Sequence, residues 1–95
     1  MQAYEILYII QPDLDEEAVT TVVDRFTAVV TDNGGEVVSV DKWGKRRLAY
    51  EIKDHRDGYY VLMNFNSEAS AAQELERLMK ISDQILRFLT TRKES

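Results

Sequence analysis

The chain has no cysteine, one histidine, one proline and four glycines. Without thiols there are no disulfide staples, no thiolate nucleophile and no cysteine-based zinc site. The solitary His55 excludes a histidine-rich metal site. With so little proline and glycine, no stretch reads as a flexible linker or low-complexity tract. Long apolar runs are absent too. Tyr4 to Ile10 is the most apolar stretch, far shorter than the roughly 20 residues that a helix needs to cross a bilayer. Met1-Gln2-Ala3 is not the basic segment that precedes the apolar run of a secretory signal, so a cytoplasmic location and no membrane partner are expected.

The 95 residues are 44 % hydrophobic and 31 % charged, which fits one domain, 1–95, folded around one core. Seventeen acidic residues outnumber 12 basic ones, for a net charge of −5. That balance excludes wholesale non-specific nucleic-acid binding, but not a local basic patch.

Ala3 to Gln11 is rich in aromatic and β-branched residues and reads as a strand. Pro12-Asp13 ends it. Asp15 is placed to cap a helix whose first turn holds Glu16 and Glu17, where the helix dipole favours acids. Val19, Val22, Val23, Phe26 and Val30 then form one apolar stripe, and Asn33-Gly34-Gly35 stops the helix. Glu36 to about Lys53 is a long extended segment, with a bulge or bend suggested at Gly44. Asp54 to Gly58 reads as a polar turn and Tyr59 to Asn66 as the returning strand of a hairpin. Ser67 is placed to cap a second helix bearing Ala71, Ala72, Leu75, Leu78 and Met79. Ile85 to Thr91 is a last strand, and Arg92 to Ser95 a charged tail.

The order is βαββαβ. Right-handed crossovers put both helices on one face of a four-stranded antiparallel sheet, the ferredoxin-like α+β arrangement. This fold hosts enzymes, binding modules and RNA readers, so it does not decide function. Alternation assigns Tyr4, Ile6, Tyr8, Ile10, Tyr59, Val61, Met63, Phe65, Leu86 and Phe88 to the helix side. Glu5, Leu7, Ile9, Tyr60, Leu62, Asn64, Arg87 and Leu89 fall on the open side. Leu7, Ile9, Leu62 and Leu89 make that open face more apolar than a solvated sheet face. A covering partner is one explanation and scattered surface leucines the other.

Lys45-Arg46-Arg47, between Trp43 and Tyr50, is the densest basic run. Cations with interleaved aromatics suit RNA, because cations meet phosphates and aromatics stack on unpaired bases. The same run also serves to guard an exposed sheet edge. His55 lies among turn residues without an evident orienting partner, which fits a solvated side chain better than a catalytic base. Asp13, Asp15, Glu16 and Glu17 are explained as helix-start residues and lack the pattern of a calcium loop. No catalytic residue, metal site or cofactor is expected.

Trp43-Gly44-Lys45-Arg46-Arg47-Leu48-Ala49-Tyr50-Glu51-Ile52, followed by Arg56-Asp57-Gly58-Tyr59-Tyr60-Val61, closely resembles the signature of bacterial or plastid small-subunit ribosomal protein six. Tyr4-Glu5, Tyr8-Ile9-Ile10 and Pro12 are similar to that family's first strand. Lys80-Ile81-Ser82 and Ile85-Leu86-Arg87 are similar to its end. The resemblance spans about residues 3 to 93. It implies a non-enzymatic constituent of the small ribosomal subunit, binding the central domain of small-subunit ribosomal RNA together with small-subunit protein eighteen, a basic partner. It implies phosphate contacts at Lys45, Arg46, Arg47, Arg87, Arg92 and Lys93. The open-face residues Leu7, Ile9, Tyr60, Leu62 and Leu89 are the expected protein-binding surface, on a chain that is monomeric when isolated. Gln2 and Ala3 stand where many relatives have Arg or Lys, and Glu51 where many have Pro. The alternative is a ferredoxin-like dimeric α/β-barrel enzyme or small-ligand-binding domain, in which two open faces close around a pocket.

Overall fold

Apolar side chains recur every second residue in the strands and every third or fourth in the helices, so each element has one face to bury. In the computed structural model, which describes residues 1–93, these faces meet in one main core between helices and sheet, with a small second cluster on the other sheet face. The elements are β1 (Gln2–Ile10), α1 (Glu16–Asp32), β2 (Glu36–Ile52), β3 (His55–Ser67), α2 (Ala69–Ile81) and β4 (Ile85–Lys93). The sheet is antiparallel in the order β2-β3-β1-β4. The expected fold class is observed.

Helix α1 buries the expected stripe, Val19, Val22, Val23, Phe26 and Val30. The Asp15 carboxylate accepts from the Ala18 amide at 2.8 Å, satisfying one of the amide groups left open at a helix start. At the other end the Gly34 amide donates to the Thr31 carbonyl and the Gly35 amide to the Val30 carbonyl. That closure needs a left-handed residue at Gly34, whose φ is +82°. Helix α2 buries Ala71, Ala72, Leu75 and Met79. Its N-cap is Glu68 and not Ser67 as expected. Ser67 is instead the fully buried last residue of β3, and its hydroxyl donates to the Glu68 carbonyl. The strand ladder claims Ser67 before the helix begins.

The helices cover Tyr4, Ile6, Tyr8, Ile10, Tyr59, Val61, Met63, Phe65 and Ile85. Leu86 corrects the alternation argument. The β1–β4 register slips between Ile9 and Ile10, which carries Leu86 to the open side, where it packs with Ile9 and Leu48. Three further slips, at Val37/Ser39, Lys42/Gly44 and Arg47/Ile52, reset the alternation of β2. Val37 and Val40 therefore both pack on the core while Val38 is exposed. The hairpin turn is also shorter than expected. Only Lys53 and Asp54 form it, with φ of +49° and +66°, and His55 to Gly58 belong to β3. Two left-handed residues match the twist of a tight hairpin. Finally, Arg92 and Lys93 are strand residues paired with Tyr4 and Ala3, and not part of a loose tail.

Candidate nucleic-acid and protein interface

β1 pairs with β3 only from Tyr59 to Ser67. The β2–β3 hairpin continues beyond that point, from the Arg46–Gly58 pair to the Lys53-Asp54 turn. Residues 46–58 thus form an arm without a neighbour in β1. Cations concentrate on and beside it. From Lys42 to Arg56 there are six (Lys42, Lys45, Arg46, Arg47, Lys53, Arg56) against the two acids Glu51 and Asp54. From Asp13 to Asp32 the balance is reversed, with six acids and only Arg25. The arm proper, 46–58, holds four cations (Arg46, Arg47, Lys53, Arg56) against three acids (Glu51, Asp54, Asp57), and with Lys42 and Lys45 at its base it makes a locally positive region on an acidic chain, opposite in sign to α1.

Register decides which cations can act together. Arg46 pairs with Gly58 and Arg47 with Asp57, without a slip between them, so their side chains leave opposite faces. Arg46 shares the open face with Tyr60, while Lys45 and Arg47 share the other parity. On β4, Arg87 and Lys93 have the open-face parity and Arg92 the opposite one. Six residues separate Arg87 from Lys93, about 20 Å along the strand. Lys93 pairs with Glu5 at 3.5 Å on this face. The six expected phosphate contacts thus form no single patch: they lie on two faces, on the hairpin at one sheet edge and along β4 at the other.

The five apolar residues do come together. Leu7 lies between Leu62 of β3 and Leu89 of β4, and Ile9 is opposite Tyr60. Their accessibilities differ. Leu89 is 65 % exposed, whereas Ile9 is 8 % exposed. Ile9 is covered by the chain's own Leu48 and Leu86, with Ile52 and Tyr60 alongside. The accessible apolar strip is therefore Leu7, Leu62, Leu89 and part of Tyr60. Trp43 extends it toward the β2 edge. Its ring stacks on Tyr60, 6.3 Å between centroids and 8° between planes, with the Arg46 guanidinium 4.9 Å from its centre. The Trp43-Gly44 bulge makes this placement. It joins Arg46, alone of the basic run, to the apolar strip on one surface.

Some contacts of this surface had no signal in the sequence. Tyr50 accepts a hydrogen bond from Arg87, Lys53 Nζ donates to the Ile85 carbonyl at 3.4 Å, and Leu48 and Leu86 close over Ile9. Through them the arm crosses the end of β1 and reaches the start of β4.

The family model described as ribosomal protein S6 matches residues 3–92 of the chain. A small ribosomal subunit protein bS6 of Desulfitobacterium hafniense is 66 % identical over 94 residues, 99 % of each chain. One from Moorella thermoacetica is 53 % identical, covering 99 % of this chain and 96 % of its own. The crystal structure of 30S ribosomal protein S6 from Thermotoga maritima superposes with a TM-score of 0.92 at 31 % identity, over 97 % of this chain and 87 % of that one. The barrel-enzyme alternative falls, because the relatives are structural ribosomal proteins. The chain belongs to the ribosomal protein S6 family, as a non-enzymatic structural component of the small ribosomal subunit.

Proposed function

We propose that the protein binds the central domain of small-subunit ribosomal RNA together with small-subunit protein eighteen. The observation that carries this is the adjacency of two surfaces. The arm and its base offer Lys45, Arg46 and Arg47 to phosphates, and the strip of Leu7, Leu62, Leu89 and Tyr60 lies beside them on the face that carries Arg46. Arg92 and Lys93 at the far end of β4 supply further phosphate contacts. The partner covers the apolar strip, and a basic partner is attracted by the net charge of −5. Few cations and an acidic body make for weak RNA binding alone, so the protein and its partner engage the RNA jointly.

The test is a titration of a central-domain RNA fragment, with and without protein eighteen, at fixed salt and with a scrambled RNA as control. Tight, sequence-dependent binding only when both proteins are present is the expected result. No binding in either case overturns the proposal. Each phosphate contact contributes a slope of about −0.9 in log affinity against log salt, taking duplex DNA as the guide. Charge reversal at Arg46 or Arg47 should therefore weaken assembly and flatten that slope.

A further inference from the structure

The arm has no β1 strand beside it, so its pose depends on what holds it beyond the sheet. Three contacts converge on the first residues of β4. Leu48 packs with Leu86 over Ile9. Lys53 donates to the Ile85 carbonyl, 32 residues away in sequence. Arg87 donates to the Tyr50 hydroxyl, 37 residues away, and its guanidinium lies 5.8 Å from the centre of the Tyr50 ring. An aliphatic contact, a backbone contact and a cation–aromatic contact thus fix the same piece of hairpin to the same strand start. Arg87 also differs from the other basic residues of the proposed RNA surface. Its Nη1 donor is already engaged by the Tyr50 hydroxyl, whereas the Arg46 contact with Trp43 is a ring-face one, and a bidentate phosphate contact draws on the in-plane donors.

We propose that Arg87 is a positioning residue and not a phosphate contact: with Tyr50 it latches the basic arm across the end of β1, so that Arg46 and Arg47 meet RNA from a preset geometry. This rests on the RNA-binding function proposed above and refines which cations perform it. An arm already in place loses little freedom on binding, whereas an unlatched arm must be ordered by the RNA. The latch therefore acts through the free protein.

The experiment compares the wild type with Arg87→Gln, Tyr50→Ala and the double variant in two measurements. The first is binding of the central-domain RNA fragment in the presence of protein eighteen, over a range of salt. The second is amide hydrogen exchange of each free protein, which needs no RNA. Arg87 and Tyr50 are both exposed, so the fold is retained, and unchanged protection of β1 and α1 amides verifies this in each variant. Each single change should weaken RNA binding about fivefold, the cost of ordering a few side chains. The double variant should be no worse than either single one. The salt slope should stay at its wild-type value, and amides of residues 46–58 should exchange faster. A slope flattened by about 0.9 in Arg87→Gln, with losses that add in the double variant, would make Arg87 a phosphate contact and overturn the proposal. Arm exchange at the wild-type rate in both single variants overturns it as well. A wild type that binds no RNA defeats the proposed function instead, and arm exchange alone then decides the latch.

Discussion

The rings of Tyr8 and Phe26 meet edge to face, 6.0 Å between centroids and 63° between planes, and tie β1 to α1 in the middle of the core. Tyr8 is fully buried, and its hydroxyl has no hydrogen-bond partner among the described residues. Burial, and secondarily the charge of Asp24, pushes its pKa well above the ordinary value of 10.0. The unfolded chain therefore loses this proton first. By linkage, the stability that Tyr8 contributes in its neutral form is intact below pH about 10 and is lost as the pH rises further. Tyr8→Phe keeps the edge-to-face contact and removes the orphaned hydroxyl. It should raise stability by about 1 kcal/mol at neutral pH and flatten the decline above pH 10. Urea titrations at the two pH values check both effects, and a loss of stability at pH 7 would refute the assignment.

Gly58 is where the hairpin leaves the body of the sheet. A Cβ there would run into Cγ2 of Ile9 and lie 3.3 Å from Cδ2 of Leu48. Gly58→Ala must displace the arm from Ile9, at a cost of about 1–3 kcal/mol, as for other overpacked sites. Chemical denaturation reads the cost. A neutral substitution would mean that the arm yields freely at this point.

Asp54 holds a φ of +66° in the two-residue turn. Glycine reaches that region without the steric cost that an L side chain bears, though it loses more freedom on folding. Asp54→Gly should therefore stabilise the hairpin by a net of about 0.5 kcal/mol, in line with the preference of such turns for glycine. A rise in the midpoint of thermal unfolding is the expected observation.

The apolar strip separates partner binding from stability. Leu89 is mostly exposed, so Leu89→Asp should alter stability by no more than about 0.5 kcal/mol. It places a charge where the proposed partner seats, and binding of protein eighteen should weaken by about tenfold or more. Ile9→Ala is the contrasting variant. Ile9 is held by the chain's own Leu48 and Leu86, so its truncation should cost about 2–5 kcal/mol of folding stability. Calorimetric titration and urea unfolding of the two variants distinguish these effects. Equal loss of stability in both would mean that the strip belongs to the core.

Much of this molecule was legible in one dimension, because the relevant physics is short-ranged. The α1 stripe from Val19 to Val30, the Asp15 cap and the Gly34 stop involve residues a few positions apart, and all three are present as expected. The alternation that assigned Tyr4, Ile6 and Tyr8 to the core has the same character. It failed at Leu86, because a bulge adds one residue to one strand and shifts the alternation across it. Ser67 was misplaced because a residue able to cap a helix was taken first by a strand.

What the amino-acid order determined by itself was the sequence of elements, the face each must bury and the density of cations between Trp43 and Tyr50, since propensity, periodicity and charge are local properties. Only the tertiary structure decided that Arg46 and Arg47 leave opposite faces, that Ile9 is sealed by Leu48 and Leu86, and that Arg87 is held by Tyr50. Each of these depends on strand register or on contacts across more than 30 residues of sequence. No local preference encodes such pairings; they arise when the packed sheet fixes where the arm ends.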